Sequence, residues 1–310
     1  MYKSFRKTRT HRSAGHVLCA ALATGIALLS LNACHEKAVF DDQDMTMAVF
    51  RVSQFEQMPF PTLTDTKGSV ADSVCRKLHY VFFQNGEREE IVTQNAGDEG
   101  FGTLSRKLSI GEHQVIVVAH NGDGNATITS LDKAEFSNNK NTAKVTDTFL
   151  FYETVEVTRG GANSFPIALQ RVVAKFRLEI TDSIPAAVSR LYFTYSGGSQ
   201  SLNPQTGKGA TKSTQKVEIP VTAGNQIFEI YTFPREDSNS LKVTVAAYDA
   251  LGNKLKEREF ENVPIRRNNI TVYKGDFFSD GVSSYDDGQF SVSFTGLEWS
   301  ESVPYDFNAQ

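Results

Sequence analysis

What most constrains this chain is a recurring element: short runs of strand length, apolar throughout or alternating, each bounded by Gly, Asn, Asp or Pro. In "LHYVFF" (78–83), Leu78, Tyr80 and Phe82 face one way and His79, Val81 and Phe83 the other, so a strand here needs cover on both sides. Asn85-Gly86 follows, the signal of a two-residue hairpin turn. "HQVIVVAH" (113–120) repeats the pattern between Gly111 and Asn121-Gly122, and both segments predict central strands. Beyond "RGGANSFP" (159–166), which has the composition of a linker, further strand segments begin at 167, 191, 216, 226, 241 and 269. Only "SLDKAEFS" (130–137) suggests a helical turn. Twenty-two Phe and ten Tyr against one Trp lean the same way. The expected fold class is all-β, with a β-sandwich in each half and a boundary near 160.

The N-terminus is a separate matter. Lys3, Arg6, Lys7, Arg9 and Arg12 precede an apolar run from Val17 to Leu31, the charged and apolar regions of a secretory signal. The run is about 15 residues, shorter than the roughly 20 of a spanning helix. Leu31-Asn32-Ala33-Cys34 resembles a bacterial lipobox, with cleavage after Ala33 and acylation of Cys34; the alternative is an ordinary secretory signal that contains a cysteine. Acyl chains contribute about 0.8 kcal/mol per buried CH₂, and two or three of them anchor stably. The expected organisation is a signal peptide (1–33), a lipidated tether (34–44), an N-terminal sandwich (45–160) and a C-terminal sandwich (161–310).

Charge and cysteine count exclude several functions. Without residues 1–33 the chain keeps 27 of its 32 basic residues against 36 acidic ones, a net charge of −9 that disfavours nucleic acid as partner. With Cys19 removed and Cys34 acylated, Cys75 stands alone, so neither an intrachain disulfide nor a cysteine metal site is expected. His79, His113 and His120 lack a G-x-S-x-G elbow and read as structural. Asn121, Asp123 and Asn125 alternate like the start of a calcium loop, but Ala126 and Asp132 stand where Gly and Glu belong, so a turn is expected. "GGSQSLNPQTGKG" (197–209) lacks the G-K-[ST] ending of a phosphate loop and reads as a mobile strand connection. A glycosidase carboxylate pair is not excluded by sequence, although a single Trp argues against a sugar-stacking cleft. No catalytic, cofactor-binding or metal residues are assigned.

Near the C-terminus, "QFSVSFT" (289–295) alternates most cleanly: Phe290, Val292 and Phe294 face one way, and Ser291, Ser293 and Thr295 the other. It follows the loop "SDGVSSYDDG" (279–288), so residues 279–310 form either an arm that pairs with another chain or an edge strand of its own sandwich.

These features together resemble the lipid-anchored fimbrial subunits of Bacteroidales, of the anchor (minor subunit) type. The likeness rests on "MTMAVFRV" (45–52), "LHYVFFQNGE", "LSIGEHQVIVVAHNGDG", "VPIRRNNITVYKGDFF" (263–278) and an L-x-R-x-x-A-K pattern at Leu169, Arg171, Ala174 and Lys175. The resemblance implies two transthyretin-like Greek-key sandwiches, an outer-membrane location through Cys34, and fimbrial stalk subunits as partners. On that template Phe290, Val292 and Phe294 fill a groove on the next subunit as a donated strand. Stalk subunits of such fimbriae are trimmed by an arginine-specific protease, and Arg51 sits close to the corresponding site, so cleavage there implies a stalk or tip protein instead of an anchor. A surface glycan-binding lipoprotein, using Tyr192, Tyr195, Tyr231, Tyr248 and Tyr273, is the alternative from another class. "DSV" (72–74) and "DSI" (182–184) resemble Asp-Ser-aliphatic glycosylation sites and read equally as turns.

Overall fold

The computed structural model describes residues 44–56, 74–137, 145–237, 239–279, 290–295 and 303–304. The chain divides into two units, Met1–Val39 and Phe40–Gln310, and every described residue lies in the second. The first half contributes β1 (Met45–Glu56), β2 (Lys77–Gln84), β3 (Glu87–Asn95), β4 (Thr103–Ser109), β5 (Gly111–His120), β6 (Ala126–Ser130), β7 (Lys133–Phe136), β8 (Thr148–Val157) and β9 (Ser164–Arg171). The second contributes β10 (Ala174–Ile180), β11 (Arg190–Ser196), β12 (Ser201–Asn203), β13 (Lys208–Gly209), β14 (Gln215–Pro220), β15 (Ile227–Thr232), β16 (Asn239–Tyr248), β17 (Lys254–Ile265) and β18 (Ile270–Gly275). Towards the C-terminus lie β19 (Phe290–Thr295) and β20 (Val303–Pro304). The fold is all-β.

Asn85 and Gly86 adopt φ of 53° and 80°, so the Asn-Gly pair turns β2 into β3 with both central residues left-handed. β2 is buried on both faces, as is most of β5, and the two pair antiparallel in the middle of a sheet ordered β20-β1-β9-β8-β5-β2-β3. β1 runs parallel to β9 on one side and antiparallel to β4 on the other. The sheet curls over its own core, because side chains of β1, β4, β2, β5 and β8 all meet in one cluster. Phe50 packs on Phe82 and Phe55 on Phe149, each pair with ring centroids 5.0 Å apart. Side chains tie β3 to β4 where the curl brings their edges together. Arg106 Nε donates to Glu90 at 2.7 Å, and Gln94 donates to the Thr103 carbonyl at 2.9 Å.

The second half is a sandwich of two four-stranded sheets, β15-β10-β18-β19 and β14-β11-β16-β17. Its core holds Phe176, Phe193, Tyr195, Val243, Phe260 and Tyr273, alternate residues of their strands, as a period of two requires. A third cluster joins the halves. The outward residues of β2 and β5, Val81, Phe83, Ile116 and Val118, pack with Ile128, Phe136, Val172, Leu202, Phe233 and Ile270.

Two local expectations fail here. Residues 130–137 form no helical turn, since β6 and β7 make a tight hairpin that buries Ile128, Ala134 and Phe136. The glycine-rich stretch 197–209 is no bare connection either: β12 and β13 form a hairpin within it, and β12 pairs with β7. A small sheet, β13-β12-β7-β6, thus takes strands from both halves. Residue 160 lies between β8 and β9, and β9 joins β1 in the first sheet before the chain enters β10.

Candidate functional site

β19 runs antiparallel to β18, with Phe290 opposite Gly275, Val292 opposite Tyr273 and Phe294 opposite Thr271. It is the outermost strand of its sheet. The alternating segment is therefore seated as an edge strand of its own sandwich, the second of the two expected placements. The side chains of Phe290, Val292 and Phe294 lie outside the described residues, as do Ala33 and Cys34 altogether.

Arg51 sits within β1, its side chain exposed between Phe50 and Val52, both fully buried. It lies opposite Thr103 of β4 and Pro166 of β9, and the Val52 N–H donates to the Gly102 carbonyl at 2.8 Å. The Arg51–Val52 peptide bond is thus held in the interior of a strand paired on both edges. A protease needs an extended, freed segment, which here requires prior local opening of the first sheet.

The L-x-R-x-x-A-K residues converge on the junction of the halves. Leu169 and Ala174 are buried in the first and second cores. Arg171, 2% exposed, binds Asp147 through two bonds of 2.7 and 2.8 Å and donates to Asn268 Oδ1 at 3.2 Å. Its guanidinium also lies 4.7 Å from the Phe149 ring centroid. Asn268 adopts φ of 59°, and its N–H donates to the Val173 carbonyl. Lys175 donates to Glu229 at 3.0 Å and stands over the Tyr231 ring. Burial lowers the Lys175 pKa in spite of Glu229. Pairing each cation with hydrogen-bonded carboxylates is what makes burial of such charges tolerable. The motif is structural, a latch between layers. Asp147 and Asn268, its partners, carried no sequence signal of their own.

Histidines 79 and 120 form a buried, stacked pair with Nε2 atoms 3.0 Å apart. The Gly122 N–H donates to His120 Nδ1, so His120 carries its proton on Nε2 and donates to His79, which in turn donates from Nδ1 to Thr93 Oγ1. Burial and the mutual repulsion of the pair push His79 down to about 3, and burial, with nearby Lys77, pushes His120 down to about 4. His113 is buried against Glu89 at 2.9 Å. His113 Nε2 also meets the Ser109 carbonyl at 2.8 Å and the Ser109 hydroxyl at 3.4 Å, and Ser109 is itself buried, so this group lies inside the sheet. Asp123 pairs with Arg76, while Asn121 donates to the Val74 carbonyl, which makes the calcium-like stretch a stapled turn. Among the described residues no group of three or more His, Cys, Asp or Glu is placed to hold a metal.

Of the five tyrosines, Tyr195 and Tyr273 are buried, and Tyr231 leans on the Lys175 latch. Tyr192 and Tyr248 remain half-buried on the outer face of their sheet, edge to face at 6.4 Å, with Arg190 over Tyr248. They do not cluster with the other three at one end.

Fold and geometry together define an all-β protein whose buried polar groups serve cohesion between strands. The model of a family of unknown function, DUF6562, matches residues 125–297, more than half of the chain, and the protein belongs to that family. No curated protein matches it. Among solved structures, the chain is similar to a candidate adhesin from Bacteroides ovatus, with 13% identity, TM-score 0.49, and 74% of this chain and 87% of that one covered. It is similar to the C-terminally truncated tip fimbrial protein Mfa3 of Porphyromonas gingivalis, with 12% identity, TM-score 0.41 and coverage of 80% and 99%. It also resembles a fimbrial assembly protein from Parabacteroides distasonis, with 15% identity, TM-score 0.40 and coverage of 85% and 99%.

Proposed function

We propose that the protein is a structural subunit of a surface fimbria, moored in the outer membrane through acylated Cys34 and passing its C-terminal strand to a stalk subunit. The observation that carries this reading is the position of β19, an alternating strand on the outer edge of β18 with no further strand beyond it among the described residues. A strand held at one edge exchanges against an equivalent edge on a neighbour, because the same backbone N–H and C=O groups are satisfied in either place. Burial of about 1.5 to 3 kcal/mol per large apolar side chain then favours the neighbour whose groove takes Phe290, Val292 and Phe294.

The double pairing of β1 supports an anchor over a polymerising stalk protein, since the stalk role requires cleavage at Arg51. The scattered placement of the five tyrosines supports strand donation over glycan binding. Deleting residues 289–310 and shearing the cells tests the reading: fimbriae released into the medium are expected, and fimbriae held as firmly as before refute strand donation. Mass analysis of the surface protein tests the anchor assignment. A chain beginning at lipidated Cys34 is expected, and one beginning at Val52 overturns it.

A further inference from the structure

Residues 277–279, immediately before the C-terminal segment, are gripped from two sides. On one side Asp182, in the β10–β11 loop, accepts three successive backbone N–H groups: Phe277 at 2.8 Å, Phe278 at 2.7 Å and Ser279 at 2.7 Å, with the Ser279 hydroxyl at 2.9 Å. On the other side Arg258 of β17 donates to the carbonyls of Phe277 at 2.8 Å and Ser279 at 3.2 Å. Phe277 is fully buried in the second core, and the Arg258 guanidinium lies 5.9 Å from its ring centroid. The Asp182 loop is itself pinned, because Gln226 donates to the Asp182 carbonyl at 3.1 Å. Burial pushes the Asp182 carboxyl up, but the hydrogen bonds from residues 277–279 outweigh this and hold it below the usual carboxylate range. A short, irregular stretch of three residues thus has a charged partner for its donors and another for its acceptors. Charge-assisted bonds are about twice as strong as neutral ones.

We propose that Asp182 and Arg258 clamp residues 277–279 and fix the point at which tension on the C-terminal segment stops. This rests on the reading that the C-terminal strand joins two proteins. Tension applied beyond Ser279 meets β17 and the β10–β11 loop before it reaches β18. Without the clamp, the same pull passes straight along the backbone into β18, which lies between β10 and β19 and contributes Tyr273 to the second core. The clamp therefore separates release of the donated strand from unravelling of the donor.

The test is single-molecule pulling of the chain from Cys34 to Gln310, held through the Cys34 thiol and a C-terminal tag, with Cys75 buried and unlabelled. In the wild type the first step is expected to peel β19 from β18 and to stop at Ser279. In Asp182→Ala the first step is expected to run on through β18 to residue 270, so that it is longer than in the wild type by up to about 36 Å at 3.6 Å per residue, and at lower force. Arg258→Lys, which loses the fork but keeps the charge, is expected to move the step in the same direction and stands in if Asp182→Ala fails to fold. A residue that merely stabilises the fold lowers the melting temperature without lengthening the first step. First steps of equal length in wild type and both variants overturn the clamp. Failure of the deletion experiment above refutes strand donation while leaving this step length unaffected, so the two readings fall separately.

Discussion

Arg171 joins a carboxylate from before β8 to an amide from before β18, so removing it strands a charge and frees two segments at once. Arg171→Ala is expected to destabilise the protein by up to about 3 kcal/mol, the low end for breaking a buried ion pair, because Asp147, half-buried, is left without its cation and Asn268 without its donor. Arg171→Lys keeps the charge but loses the fork, and is expected to recover only part of that. Urea denaturation of the three proteins checks both. The motif itself was visible in the sequence, but only as a resemblance; its meaning was not. Asp147 and Asn268 lie 24 and 97 residues from Arg171, and no local pattern encodes a meeting at that range. The histidine pair makes a second residue-level prediction. An unfolded histidine titrates near 6.5, whereas in the folded chain His79 and His120 titrate near 3 and 4. Below pH 6.5 the unfolded state therefore binds protons that the native state refuses. Stability falls as pH drops through this window, by about 2 kcal/mol per histidine at pH 5. His113, whose pKa is raised by Glu89 against the effect of burial, works the other way. Urea midpoints at pH 7 and pH 5, compared with those of a His79→Phe/His120→Leu variant, isolate the pair: the variant is expected to lose most of the slope.

Among the elements, those legible in advance were long, apolar and flanked by turn residues. β2 and β5 satisfy all three conditions, and the Asn85-Gly86 turn adopts the left-handed geometry its sequence demands. The elements missed were β3 and β17, whose charged and largely exposed residues blur the alternation, β4 and β8, and the short β6, β7, β12 and β13, of two to five residues, too short for a period of two to stand out. In β12–β13 the glycines misled for a physical reason, since they serve close approach as well as looseness. A Cβ at Gly197 would sit 2.2 Å from the Ser240 carbonyl oxygen, at φ of +109°. Gly224 also has a positive φ, of +80°, but open space around it. Gly197→Ala is accordingly expected to cost several times the penalty of Gly224→Ala, which is about 1 kcal/mol from backbone strain alone. Thermal melts of the two single variants give the comparison directly.

For the molecule as a whole, the third hydrophobic cluster and the β7–β12 pair bind first-half strands to second-half strands. A single cooperative transition is expected, with far-ultraviolet and near-ultraviolet signals superimposing. A fragment beginning at residue 161 is expected to melt well below the full chain, since it lacks the partners of Leu202 and Phe233. Two separate transitions, or an undisturbed fragment, would show the halves to be autonomous. The parallel pairing of β1 with β9 sets the timing of assembly. Ser53 bonds to the Ile167 carbonyl 114 residues further on, so a chain made N-terminus first presents its opening strand long before that strand's mate. β4 can zip onto β1 early, but the other flank stays bare until β9 emerges, and closure of so long a loop is intrinsically slow. Newly made copies therefore pass through a stage with one naked flank on β1, when that flank is most open to a stray strand from another chain.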